Sequence, residues 1–424
     1  MTLEAGYDVV VIGGGPAGST AATCLARAGR RVVLFEREPF PRLHVGESLL
    51  PANLPLLDRI GVHPAIVERG FQVKYGATFS DQESQLEHTF YFARNKPWPY
   101  YAYQVPRAEF DTVLLDHARK QGVDVRQPAT VETITLDGTG VTVSAEEHGQ
   151  AVTLRARFLI DASGRDGFFA SRLGRREAIP NLGKVALFAH FRGAERAPGR
   201  DEGNIRIHLF EDGWFWWIPF AGDTTSVGCV LHARTARGRG GPVEELFDEM
   251  VHRCRRVALG LGGAERITPV KRVANFSYVN RPRVGDRFLC VGDAIAFVDP
   301  IFSGGVYIAM QSAELAAEAV LPALADGRFE AARFASYERA VWRGIAPFFR
   351  MIHKYYEPAF LELFLKPRNY FGMEDAVLSV LAGGAFHRMP WRMWCGLELL
   401  FLLARVNVWV RRRAGLPVES RLEW

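Results

Sequence analysis

The residues best suited to chemistry in this 424-residue chain fall in a few short segments. Gly13, Gly15 and Gly18 form GxGxxG between the β-branched run from Tyr7 to Ile12 and the helix-forming stretch from Ala21 to Ala28. Gly13 permits a tight turn, Gly15 lets backbone approach a pyrophosphate, and Gly18 lets helix and strand pack closely. The helix start then turns free N–H groups toward the phosphates. Glu36 closes the following strand, where an acid accepts hydrogen bonds from ribose hydroxyls. Ser303, Gly304 and Gly305 offer successive backbone N–H groups, a nest suited to a small anion or simply the start of a helix. Lys74 stands in a strand-like segment among apolar or small neighbours. A strand lysine is ordinarily solvated or salt-bridged. Kept from water, its amine has a lowered pKa and acts near neutral pH as nucleophile or hydrogen-bond donor.

These groups need elements to position them. Tyr7 to Phe35 reads as a βαβ unit, whose strands lie parallel. The middle of the chain alternates apolar and polar residues, as in Thr130–Thr135 and Val141–Ala145, with a helical pattern from Pro106 to Lys120. Val185–Phe191, Ile205–Phe210 and Ser226–His232 predict a separate antiparallel sheet standing as a wall over the nucleotide domain, and Arg234 to Gly241 reads as a loop. From Gly304 onward the pattern is helical and aromatic-rich, with Pro347, Pro358, Pro367 and Pro390 expected to divide the helices. The expected fold is α/β: a Rossmann-like domain, an antiparallel β-sheet substrate domain and a helical C-terminal region. Residues 1–330 would form the dinucleotide module, the wall being inserted at about 71–105 and 180–270, with 331–424 covering the substrate.

Composition sets the limits. Apolar residues make up 48% and charged ones 23%, which excludes a disordered chain. A net charge of +5 gives no indication of nucleic acid and favours acidic partners only weakly. The cysteines number five, lie far apart and form no CxxC pair, so neither a disulfide framework nor a thiolate metal site is expected, and a reducing, cytoplasmic setting fits. No signal segment is read at the N-terminus and no membrane span is expected. The nearest approach, Gly396–Ala404, is interrupted by Glu398 and followed by Arg405 and Arg411–Arg413, the pattern of a buried helix with a solvated basic end or of a membrane-surface segment.

Distant segments sharpen the dinucleotide reading. Phe288–Asp293 is a buried strand ending in Gly-Asp, and Asp161–Gly167 follows another. With GxGxxG they resemble the fingerprints of the FAD-dependent monooxygenase superfamily. Gly213–Pro219 matches the GWxWxIP signature of the flavin-dependent halogenases, and Phe297, Pro300, Ser303 and Gly305 match their FxxPxxSxG. Val45–Ser48 is similar to their flavin strap, and Lys74 stands where they place a catalytic lysine. The resemblance runs from Tyr7 to about Gln311.

That resemblance implies FAD, used as FADH2, contacted by Gly13, Gly15, Ala17, Gly18, Glu36, Arg37, Glu47, Ser48, Arg107, Asp293, Pro300 and Gly305. Asp293 would hold the ribityl chain. Chloride or bromide would sit at Gly304 and Gly305, oxidised with O2 to a hypohalous acid that Lys74 delivers to an aromatic ring. Trp214, Trp216, Ile218 and Pro219 would bar the substrate from the flavin. The chain shows no nicotinamide-binding unit beyond the FAD fold, so a separate flavin reductase is implied. Tryptophan-halogenating members carry Glu before the Ser of the second motif and have longer C-terminal halves. Here Phe302 stands there, pointing to a phenol or pyrrole, free or tethered to an acyl or peptidyl carrier protein. Arg253, Arg255 and Arg256 offer basic groups to an acidic carrier or are a solvated face. The substrate pocket is expected near Tyr100–Tyr101 and the C-terminal helices, with His353, Tyr355, Tyr356 and Glu357 as candidate bases. The rival readings are a flavin hydroxylase or reductase, and a non-catalytic flavin protein at a membrane surface.

Overall fold

The computed structural model describes residues 4–94, 99–180, 182–232, 235–236, 241–274, 277–387 and 389–418. Most of the Arg234–Gly241 segment therefore lies outside the described residues.

The nucleotide sheet forms because its strands are continuous apolar runs that can be covered on both faces. Glu4–Ile12 is flanked in parallel by Val32–Phe35 and Gln150–Asp161, and the latter pairs in parallel with Phe288–Cys290. Val9, Val10 and Val11 are wholly buried, each contributing about 1.5–3 kcal/mol of apolar burial. The register aligns Ile12 with both Phe35 and Asp161, and Asp161 with Cys290. The strands end level, so Gly13, Glu36, Ala162 and Asp293 emerge along one edge, where open α/β sheets bind ligands. The helix Pro16–Arg27 starts at that edge, and the helix Arg107–Lys120 packs against it.

The wall is an eight-stranded sheet containing Gly76–Asp81, Glu87–Tyr91, Lys184–Arg192, Ile205–Phe210, Gly213–Pro219 and Thr224–His232. It is not wholly antiparallel, as the sequence suggested: Ile205–Phe210 runs parallel to Gly76–Asp81, with Ile207 opposite Phe79. The two strands come from separate segments rather than from a hairpin, and only such connections permit a parallel pair. Period-two alternation sorts the signature strand. Trp214, Trp216 and Ile218 face the large core shared with the C-terminal helices, while Phe215 and Trp217 face a smaller core with Phe191, Phe247 and Met250.

The C-terminal region comprises the helices Gly305–Asp326, Ala335–Tyr355, Pro358–Leu365, Met373–Leu381 and Trp391–Arg413. Pro358 and Pro390 mark helix starts as expected. Pro347 does not end its helix, because Val341, Ile345, Phe348, Met351 and Ile352 bury one continuous face. That burial outweighs the ~3 kcal/mol of a mid-helix proline. Two helices are long and apolar enough by length and composition to cross a membrane, although charged residues interrupt both, Glu314 and Glu318 in one and Glu398 and Arg405 in the other. Gly305–Asp326 packs in the core against Pro16–Arg27. Trp391–Arg413 buries Gly396, Leu397, Leu400, Phe401 and Ala404 against neighbouring helices and leaves Leu402, Val406, Trp409 and Val410 exposed.

Candidate active site

Where the level strand ends meet the wall, the structure opens a cavity of ≈ 930 Å³. Gly13, Gly15, Ala17, Glu36 and Arg37 line it from the nucleotide domain, and Glu47, Ser48, Arg107 and Asp293 from the strap and nearby loops. Pro300, Ser303 and Gly305 line it from the turn before the long helix, and Trp214, Trp216 and Ile218 from the wall.

The residues present fit a dinucleotide. Gly13 takes φ +101°, and a Cβ there would strike the Ala162 carbonyl. At Gly18 a Cβ would overlap the Gly13 carbonyl, so the helix approaches its strand as closely as glycine alone permits. Gly18 acts through this packing and is not itself on the cavity wall. Glu36 is buried, accepts hydrogen bonds from the Gly14 N–H (2.7 Å) and Glu38 N–H (2.8 Å), and still lines the cavity. Arg42 lines the cavity beside Gly15, and its Nε is buried without a hydrogen-bond partner. An orphaned guanidinium N–H beside a helix N-terminus is the donor a diphosphate requires. Arg37 pairs with Asp166 at 2.6 Å and is half-exposed on the rim.

The strap is fixed by a buried cation. Arg107 begins its helix directly after Pro106, clasps Asp111 through Nε and Nη2 (2.7 and 2.9 Å), and donates from Nη1 to the Val45 carbonyl at 2.7 Å. Beside it, burial and the Arg107 charge push His44 down to about 4, keeping that imidazole neutral at pH 7. Glu47 pairs with His190 Nε2 at 3.0 Å. Burial lifts the Asp293 carboxyl to about 6, opposed by the Arg107 and Arg165 charges.

Lys74 ends the strand Gln72–Lys74, which pairs with Ala102–Gln104. Its side chain is 1% exposed, Nζ donates to Ser48 Oγ at 2.7 Å, and the Phe92 ring centroid lies 5.4 Å away. No carboxylate pairs with this amine among the described contacts, and burial alone brings its pKa down to about 7. Lys74 is not on the cavity wall. Ser48 both lines the cavity and bonds the amine, and so links the two.

The FxxPxxSxG segment forms a tight turn. Asp299 Oδ1 accepts from the Ile301 N–H at 3.0 Å, Ser303 takes φ +55°, and Gly305 starts the long helix. Ser303 and Gly305 line the cavity, whereas Gly304 sits back against Phe348. Of the paired glycines, Gly305 alone reaches the wall. On the signature strand Pro219 is likewise off the cavity, while the two indoles are anchored: Trp214 Nε1 donates to Tyr356 Oη (2.9 Å) and Trp216 Nε1 to Ser226 Oγ (3.1 Å).

Phe302 belongs to a closed aromatic cluster with Phe79, Tyr355 and Phe364, its ring centroid 5.3 Å from that of Tyr355. Tyr100 stacks on Tyr75 in an exposed position, and neither Tyr100 nor Tyr101 lines the cavity. The candidate bases fare poorly. Tyr355 is wholly buried in the aromatic cluster. Tyr356 is buried, donates to Asp299 Oδ2 at 2.9 Å and has its pKa pushed well up by burial. His353 is exposed on its helix, and Glu357 accepts from Lys354 Nζ at 2.7 Å. Arg253 pairs with Glu211 and Asp212, and Arg256 with Glu87, so much of that basic cluster is already neutralised. Arg42, His44, His190 and Lys184 belong to no local motif, and nothing in the chain's patterning marks them beyond their residue types.

The FAD binding domain family matches residues 6–342. The chain is 35% identical over 375 residues to a 1H-pyrrole-2-carbonyl-[peptidyl-carrier protein] chlorinase of Pseudomonas fluorescens, covering 82% of this chain and 83% of that protein. It is also 35% identical to a tryptophan 2-halogenase of Chondromyces crocatus, covering 81% of this chain and 66% of that one. Among solved structures, a flavoprotein/dehydrogenase from Cytophaga hutchinsonii superposes with TM-score 0.87 at 29% identity, covering 95% and 99% of the two chains. The flavin-dependent brominase Bmp2 superposes with TM-score 0.83 at 29% identity, covering 95% and 100%. A dinucleotide cradle, an indole wall and a buried amine thus coincide with an FAD-binding domain match and halogenase relatives, and the chain belongs to the FAD-binding flavin-dependent halogenases.

Proposed function

We propose that this protein halogenates an electron-rich phenol or pyrrole ring, making the oxidant in the large cavity and delivering it through Lys74. The observation that carries this reading is the buried Lys74 amine, bonded to Ser48 on the cavity wall and unpaired with any carboxylate among the described contacts. Reduced FAD, when bound, supplies with O2 the two-electron oxidation of halide: FADH2, O2, halide and a proton give FAD, hypohalous acid and water.

The chain's own residues do the rest. The turn from Gly13 to Gly18 and Arg42 hold the diphosphate, Glu36 the ribose and Asp293 the ribityl hydroxyls. Arg107 pins the strap by its bond to the Val45 carbonyl. N–H groups at Gly304 and Gly305 hold the halide, with Gly305 presenting it to the cavity. Trp214, Trp216 and Ile218 exclude a substrate ring from the cavity, so only a small oxidant leaves it. Ser48 passes hypohalous acid to Lys74. Near pH 7 both forms of the amine are populated: the neutral amine bonds halogen with loss of water, and the ammonium polarises hypohalous acid by hydrogen bonding. Either way the ring exchanges a proton for halogen, and water is released.

Phe302 in place of a carboxylate favours a ring that activates itself, and the likeness to a pyrrolyl-carrier chlorinase supports a carrier-tethered substrate. The chain is as similar in identity to a tryptophan halogenase, so the reading of the ring type rests on Phe302 rather than on overall identity. A separate flavin reductase completes the system. The test supplies reduced FAD, O2 and bromide with a free phenol and with a pyrrole-2-carbonyl carrier thioester. Brominated product is expected, and oxygenated product in every case would reject the reading.

A further inference from the structure

A second buried lysine stands behind the halide turn. Lys184 begins the strand Lys184–Arg192 and is 3% exposed. Its Nζ lies 3.0 Å from Asp299 Oδ2, the oxygen that also accepts the Tyr356 hydroxyl at 2.9 Å. The other oxygen, Oδ1, accepts from the Ile301 N–H and so caps the turn Pro300–Phe302. That turn sets the left-handed Ser303 and the start of the helix at Gly305. Tyr356 in turn accepts from Trp214 Nε1 at 2.9 Å. Trp214 lines both the large cavity and a smaller one of ≈ 180 Å³, whose walls include Lys184 and Tyr356.

A buried carboxylate costs several kcal/mol unless it is paired and fully hydrogen-bonded. Lys184 and Tyr356 both donate to Oδ2 of Asp299, while Oδ1 accepts from the Ile301 N–H. We propose that Lys184 is a positioning residue for halide: through Asp299 it fixes the turn that aims the Gly304 and Gly305 N–H groups, and through Tyr356 it ties that turn to the Trp214 barrier. The proposal rests on the halide reading given above. With the Lys184 ammonium lost, Asp299 loses the partner on Oδ2 and shifts, the Ile301 cap loosens, and the N–H groups lose their common aim.

Lys184 also carries the pH dependence of this device. Burial holds its pKa down at about 8, with Asp299 opposing. The titratable groups around it are Asp299, Tyr356 and His353, His232 on the paired strand, and Glu211 and Asp212 across the smaller cavity.

The experiment measures bromide KM, kcat and FAD affinity for wild type, Lys184→Met, Lys184→Arg and Gly305→Ala. Lys184→Met is expected to raise bromide KM by about tenfold, the size of one lost hydrogen bond to a charged group, with FAD affinity retained and kcat at saturating bromide less affected. In wild type, bromide KM should climb by up to about tenfold from pH 7 to 9 as the amine deprotonates. Lys184→Arg, which keeps its charge, should flatten that climb. If Gly305→Ala shifts bromide KM while Lys184→Met does not, the positioning role is wrong and the halide site stands. If neither shifts it, the halide site itself is wrong. Should Lys184→Met fail to bind FAD, the pH profiles decide: identical climbs in wild type and Lys184→Arg would overturn the proposal.

Discussion

Replacing Lys74 by methionine should stabilise the protein while removing its function, and the size of the gain follows from the site. Burial lowers the Lys74 amine from an ordinary 10.5 to about 7, which corresponds to about 5 kcal/mol of penalty on the charged form. Below pH 7 the amine is protonated in folded and unfolded chains alike, so the folded state bears the whole penalty. Between pH 7 and 10.5 the folded chain is neutral while the unfolded chain still binds the proton, so this contribution to stability improves as pH rises. Above 10.5 both are neutral and the penalty is gone. Methionine has similar length and no charge; it forfeits the bond to Ser48, worth about 1–2 kcal/mol. Lys74→Met should therefore be more stable than wild type by about 3–4 kcal/mol at pH 6, and slightly less stable at pH 10.5. Urea unfolding of both proteins at the two pH values measures it. A variant less stable than wild type at pH 6, or a difference independent of pH, would refute the claim that this amine is held in a dry site.

Other outcomes follow from single contacts. Gly18→Ala forces a Cβ into the Gly13 carbonyl and should weaken FAD binding by at least about tenfold, read by flavin fluorescence titration. Trp214→Phe removes the bond to Tyr356 and should cost about 1–3 kcal/mol in urea unfolding. Phe364→Ala opens a cavity among Phe79, Phe90, Phe302 and Tyr355; it should cost about 3–5 kcal/mol and broaden the range of rings accepted in competition assays.

What was legible in the sequence was whatever a contiguous stretch encodes. The turn at Gly13–Gly18 and the acid at Glu36 were readable because a phosphate cradle is built from one βαβ unit. The signature strand was readable as well, through its match to a family motif; which of its side chains face which core, Trp214 and Trp216 on one side and Phe215 and Trp217 on the other, came from the fold. Contacts made across the fold were not. Ser48 as the link to Lys74, Arg42 beside Gly15, and Lys184 beneath Asp299 each join segments far apart in the chain, and no local spacing marks them. The parallel pairing of Ile205–Phe210 with Gly76–Asp81 likewise joins segments far apart in the chain, and the helix runs through Pro347 because tertiary burial overrode the local rule.

The central claim is that oxidant is formed on one side of Ser48 and used on the other. Its most direct measurement is a single turnover with reduced FAD, O2 and bromide, comparing wild type with Lys74→Met for flavin oxidation, brominated ring and hypobromous acid escaping to a soluble trap. Equal flavin oxidation in both is expected, with bromine on the ring in wild type and in the trap for the variant. Ring bromination by Lys74→Met at the wild-type rate would contradict the account.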